Sequence, residues 1–252
     1  MTWTDHTAEP MLPPLLSGRR IIPGQSVRDA AVAGARAGSL GACDVLWDGD
    51  PTRVDIAIVL EPDVDLRQAA QMLPLAMVAV GDCIGAMAPP QVGVVFRWPN
   101  TIAVNGGRVG QIQVIADDVM PDAVPRWLVA SLELQMRRNS DAAEPGQTPD
   151  TTSLADEGCE ELTNLDIMGA FARHFMAWLH IWQDEGFGPL RQAWLERADG
   201  KDEPEKLTPE QVDAVTVVGM DEDGNLLVHG SSTVPTELPL LDAISVQPSQ
   251  EE

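Results

Sequence analysis

Tyrosine is absent from this 252-residue sequence, although tryptophan occurs seven times, and the imbalance carries no functional reading. Basic side chains are scarce. Only 16 Lys and Arg stand against 39 Asp and Glu, a formal charge of -23. Binding to a phosphate backbone needs concentrated Lys and Arg, so a general nucleic-acid surface is excluded. Cysteine is also scarce: Cys43, Cys83 and Cys159 are far apart and odd in number. They form neither a disulfide framework nor a metal-ligand cluster, so no metal site is expected and a reducing cytoplasm is the simplest compartment. No histidine or other base lies near Cys83 in sequence, which favours a buried inert thiol over a nucleophile. No uncharged apolar run reaches about 18 residues, and the N-terminus MTWTDHTAEP is acidic. Neither a membrane span nor a secretory signal is expected.

What is present reads as globular. Hydrophobic residues make up 44% and charged residues 22%, enough for one domain of about 180 to 200 residues plus a small one. Residues 1–20 contain three prolines and read as an arm laid over the domain, with Met11, Leu12, Leu15 and Leu16 as anchors. His6 there is a solvated residue. The arm is too short and proline-rich for a DNA-binding helix-turn-helix.

The most informative stretch runs from Val92 to Ile115. Val94-Val95-Phe96 leads into Arg97-Trp98-Pro99-Asn100, Ile102 and Val104 lead to Asn105-Gly106-Gly107, and Val109, Ile112, Val114 and Ile115 resume a strand. Asn-Gly between extended apolar runs is a strong hairpin signal. Arg97 and Arg108 sit at the margins of this hairpin and form the natural nucleus of an anion pocket in a repulsive overall field.

Trp98-Pro99-Asn100, followed by Arg108-Val109-Gly110-Gln111-Ile112, resembles the core signature of the biotin/lipoate A/B protein ligase family, and the similarity covers roughly residues 25–250. The resemblance implies an α+β fold, a mixed or antiparallel sheet covered by helices, with a small β-rich C-terminal domain. It also implies ATP-dependent activation of a biotin, lipoate or octanoate carboxylate to an acyl-adenylate, with Mg2+, and transfer to a lysine of a carrier domain. By the same resemblance Asn100 and Arg108 are the catalytic candidates, and Arg53, Arg97, Trp98, Asn100, Arg108, Gly110 and Gln111 bind ligand.

The chain departs from the family pattern at several of these places. Thr101 stands where an aspartate is usual, Arg108 where a lysine is, and Gln111 where a glycine allows close backbone approach. A guanidinium keeps the charge but is a planar fork rather than a compact ammonium. A long Gly- and Arg-rich loop is replaced by Asp48-Gly49-Asp50-Pro51-Thr52-Arg53, which is short and acidic. Arg53 is either a remaining cation or a strand-edge charge; Asp48 and Asp50 either hold magnesium or cap the turn. Asn100 either faces a ligand or satisfies its own turn. These departures motivate the alternative of a non-catalytic ligand-binding or scaffold member of the same fold.

Elsewhere the period predicts a helix from Ser26 to Ala37, strands at 43–47 and 53–60, and a long apolar helix at 66–84 that kinks or restarts near Pro74. Residues 126–136 read as a strand with Trp127, Val129 and Ser131 on one side and Leu128, Ala130, Leu132 and Leu134 on the other. A surface loop is expected at 139–150, and a helix capped by Thr163 or Asn164 through Glu185. Within it His174 reads as packed and hydrogen-bonded, and His180 as solvated. The expected domains are the arm 1–20, a ligase-like domain 21–198, a linker 199–211 and a small barrel-like domain 212–252, where His229 is a modest site candidate. Apolar surface on the 164–185 helix and the Leu226 hairpin argues for a homodimer. No membrane or nucleic-acid partner is expected.

Overall fold

Asn105 and Gly106 have φ of 48° and 88°, the left-handed pair that a two-residue hairpin turn requires. This is the turn expected at the centre of the chain. A computed structural model of the protein describes residues 8–22, 24–138, 150–201, 214–230 and 234–247. The 139–149 loop, His6 and the linker from residue 202 to 211 lie outside the described residues.

The first half contributes β1 (Ser17–Arg20), α1 (Val27–Arg36), β2 (Asp44–Trp47), β3 (Arg53–Leu60), α2 (Leu66–Ala69) and α3 (Met72–Met87). The hairpin region follows as β4 (Val94–Arg97), β5 (Thr101–Val104) and β6 (Gly107–Asp117), then β7 (Leu128–Gln135). After α4 (Asn164–Glu185) and α5 (Phe187–Glu196) come β8 (Thr216–Met220), β9 (Leu226–His229), β10 (Thr236–Leu238) and β11 (Ser245–Gln247). The main sheet has the order β1-β2-β3-β7-β6-β5-β4 and is mixed: β1 runs parallel to β2, and the inner pairs are antiparallel. β8, β9 and β10 form a separate three-stranded antiparallel sheet. The architecture is thus the α+β class expected.

Each face of the main sheet has its own core. On one face α3, α4 and α5 cover Trp47, Ile56, Ile58, Phe96, Ile112 and Leu132, with Phe171, Phe175 and Trp194 from the helices. On the other, α1 covers only part of the sheet, burying Leu46, Ala57, Val59, Ile115 and Val129. β3 sits inside the sheet and is buried on both faces, as its apolar run from Ile56 to Leu60 requires. Beyond α1 the second face turns polar, which leaves room for a cavity.

The long apolar helix restarts: α2 ends at Ala69, and Pro74 falls in the first turn of α3, where a missing N–H costs no helical bond. By length and hydropathy Leu66–Met87 passes for a membrane span, but 78% of its most apolar window is buried within the fold. Ser26 caps α1 by accepting from the Asp29 N–H, and Thr163 with Asp166 forms a capping box on α4.

Three expectations are corrected. The arm is not all arm, since Ser17–Arg20 forms the edge strand β1. Its anchors are Leu16, which is buried, and Leu12, while Met11 and Leu15 are exposed. The C-terminal segment is not a closed barrel among the described residues: β11 leaves the small sheet and pairs in parallel with β6. The apolar surface that argued for a homodimer is covered in part within the chain, with Val218 left exposed. Val217, Met220, Leu226 and Val228 are buried, and Trp178, Leu179 and Trp182 pack against the core.

Candidate functional site

A cavity of about 800 Å³ lies over the part of the sheet that α1 leaves uncovered. Its floor is made by β3, β7 and β6, through Arg53 and Asp55, Glu133 and Gln135, and Arg108, Gly110 and Gln111; Gln25 and Ser26 at the start of α1 form one rim. Its size suits a small organic ligand.

The strand register explains this polar floor. Asp55 pairs with Glu133, Glu133 with Gln111, and Gln111 with Thr101, so four polar residues make one row across β3, β7, β6 and β5. On β7 the alternation sends Leu128, Ala130, Leu132 and Leu134 into the large core and turns Ser131, Glu133 and Gln135 to the other face. A bulge where β5 meets β6, between Ile102 and Ala103, places Arg108 opposite Ala103 and returns Val109 to the core. Arg108 therefore shares a face with Gln111.

Gly110 is fixed by packing. A side chain there would collide with the Glu133 carbonyl oxygen and come within 2.9 Å of Leu134 Cα. The glycine thus lets β6 and β7 approach, a role separate from any ligand contact.

Hydrogen bonds run from the rim to the floor. Arg108 Nη2 donates to Gln111 Oε1 at 2.7 Å, and Gln111 Nε2 donates to Glu133 Oε2 at 3.3 Å. Arg28 donates to Gln113 Oε1 at 2.6 Å and to Asp29 at 2.9 Å. Arg53 is held by the buried carboxylate of Asp48, with Asp50 and Asp55 each 3.9 Å away. Asp50 in turn accepts from the Thr52 N–H and hydroxyl at 2.9 and 2.7 Å, which is turn capping. Burial pushes the Asp55 carboxyl up to about 6, and the neighbouring Glu133 charge adds to it.

Of the residues singled out in the sequence, Arg53, Arg108, Gly110 and Gln111 meet at this cavity, while Arg97, Trp98 and Asn100 do not line it. Arg97 donates to Asp199 at 2.7 Å and to the Gly106 carbonyl at 3.1 Å. Trp98 is buried edge-on against Trp194, their centroids 6.1 Å apart. Asn100 lies in the turn between β4 and β5 and uses its carbonyl to accept from the Ile112 N–H at 2.9 Å. Cys83 is a buried thiol that burial pushes up to about 12, as expected of an inert residue. Asp55 and Glu133 went unnoticed in the sequence. Their signal is a carboxylate set into each of two apolar strands at the parity of the thinner core.

The cavity fits one anionic group of a ligand at Arg108, which is exposed and whose side chain, among the described residues, bonds to a neutral amide. Among the described residues no group of three or more His, Cys, Asp or Glu side chains converges. A second cavity, about 810 Å³, lies between α2, the end of α4, the start of α5 and the β8–β9 turn. None of the candidates lines it.

The family model described as Biotin/lipoate A/B protein ligase family matches residues 12–196. A biotin–[acetyl-CoA-carboxylase] ligase of Paracoccus denitrificans is 27% identical over 174 residues, 69% of this chain and 72% of that protein. A biotin protein ligase-like protein of unknown function from Silicibacter sp. TM1040 superposes with a TM-score of 0.83 at 31% identity, over 93% of this chain and 99% of that one. The biotin protein ligase of Aquifex aeolicus in complex with biotin and ATP has a TM-score of 0.64 at 14% identity, covering 89% and 94% of the two chains.

Proposed function

Since the chain belongs to the biotin/lipoate A/B protein ligase family, we propose that the cavity over β3, β7 and β6 is the ligand site of an ATP-dependent, ligase-like protein. Family and fold support ligase-like activity in general. The finer reading is activation of a vitamin or fatty acyl carboxylate and its transfer to a lysine of a carrier domain. One observation carries it: Arg53, Arg108, Gly110 and Gln111, drawn from two separated stretches of sequence, line one cavity of suitable size. Arg108 turns from Gln111 to the ligand's anionic group, and a guanidinium suits a carboxylate or phosphate bidentately. ATP, when bound, would supply the adenylyl group that activates the carboxylate, with pyrophosphate as the leaving group. Arg108 holds and orients the anion beside it, and the partial cover of α1 sets how far water is kept out.

A second reading is favoured by the arginines already engaged. Arg53 and Arg97 each hold a carboxylate of their own chain, and the turn that would close over an adenylate carries Asp48 and Asp50. This is the non-catalytic ligand-binding or scaffold member. Incubating the intact chain with a carrier domain, ATP and each of biotin, lipoate and octanoate separates the two readings. ATP-dependent labelling of the carrier lysine supports the ligase, binding without labelling supports the scaffold, and neither binding nor labelling contradicts both.

A further inference from the structure

The cavity floor offers acceptors that the chain leaves unmatched. Asp55 is 6% exposed, and its Oδ1 is buried without a hydrogen-bond partner among the described residues. Glu133, directly opposite Asp55, receives one long bond from Gln111. Two carboxylates facing each other across paired strands repel, and an ionised carboxylate can only accept hydrogen bonds. The nearby cations relieve them only in part: Arg53 Nη2 lies 3.9 Å from Asp55 Oδ2, and Arg28 also opposes the charge, but each is bonded elsewhere. Arg53 is bound to Asp48, and Arg28 to Asp29 and Gln113. A metal ion lacks the third ligand among the described residues. A ligand group bearing N–H donors would match these acceptors, and a cationic one would also offset the paired charge.

At the other end of the Gln111 bridge stands Arg108, exposed and held by a neutral amide. The cavity is therefore bipolar, with a guanidinium at its rim and a carboxylate pair on its floor. We propose that its ligand is an amino carboxylate, whose carboxylate meets Arg108 and whose ammonium meets Asp55 and Glu133. This rests on the reading of the cavity as the ligand site. It departs from biotin, lipoate and octanoate, none of which carries an ammonium. The raised proton affinity of Asp55 fits the arrangement, because a bound ammonium restores the ionised form that burial disfavours.

The test is calorimetric titration of the full chain at neutral pH with γ-aminobutyrate and ε-aminocaproate, beside butyrate, caproate and hexylamine. The expected result is that one of the amino carboxylates binds at least about tenfold more tightly than the plain acid of the same length. That preference disappears in Asp55→Asn and in Glu133→Gln, while Arg108→Ala weakens the amino and the plain acids alike. Two floor variants are used so that a folding defect in either one, checked by thermal melting, leaves the other to decide. Equal binding of plain and amino acids, binding of neither, or a preference that survives both floor variants overturns the proposal. ATP-dependent labelling of a carrier lysine is scored separately: amino carboxylate binding without it supports this proposal while counting against the ligase.

Discussion

Asp55 occupies a place in β3 that an apolar residue would fill at lower cost. Its carboxyl is raised to about 6, chiefly by burial and then by Glu133, with Arg53 and Arg28 opposing and Asp48 adding. In the unfolded chain it titrates near about 3.9. The folded state therefore binds the extra proton between about pH 4 and pH 6. Stability from this group is present at the acid end of that window and lost as pH rises through it. The loss amounts to about 2 to 3 kcal/mol at neutral pH. Urea denaturation is predicted to show Asp55→Asn gaining clearly more stability over the parent chain at about pH 7.5 than at about pH 4.5; an equal difference at both would contradict this. Arg108→Ala is predicted to behave in the opposite way. The residue is exposed beside a turn, so melting changes little, while binding of a carboxylate or phosphate ligand falls by about 1.5 to 3 kcal/mol in calorimetry. The sequence showed Arg108 and Gln111 through their motif. It did not show Asp55 and Glu133, because a lone acid in an apolar strand becomes a site residue only once the register sets it opposite another.

At the scale of elements, period and caps were enough wherever the residues carry a strong pattern. The Asn105-Gly106 hairpin, the capped α4 and the doubly buried β3 all formed where expected. β1 and β11 were not legible. All four residues of β1 are exposed and β11 has only three residues, so neither displays the alternation that announces a strand. Their pairing is set by β2 and β6, which is tertiary information. Two changes test the element account. Thr163→Ala removes the reciprocal bonds of the capping box and is predicted to cost about 1 kcal/mol in denaturant unfolding. Gly110→Ala forces β6 away from β7 and is predicted to cost about 1 to 3 kcal/mol. A melting curve for Gly110→Ala that matches the parent would mean the close approach of these strands is not needed.

Over the whole molecule, the charge of -23 works against any anionic ligand until it reaches Arg108. Duplex DNA is accordingly predicted to form no complex at physiological salt in a gel-shift assay. The fold organises this field by layers: the helices α3, α4 and α5 seal one face of the sheet, and the incomplete cover of α1 leaves the cavity on the other. The most direct measurement of the account is calorimetric titration of the intact chain with ATP, biotin, lipoate, octanoate, adenylate analogues and ε-aminocaproate, repeated with Arg108→Ala. The account predicts that at least one of these anions binds and that the variant binds it at least about tenfold more weakly at unchanged melting temperature. Binding of none of them, or binding that Arg108→Ala leaves intact, would contradict it.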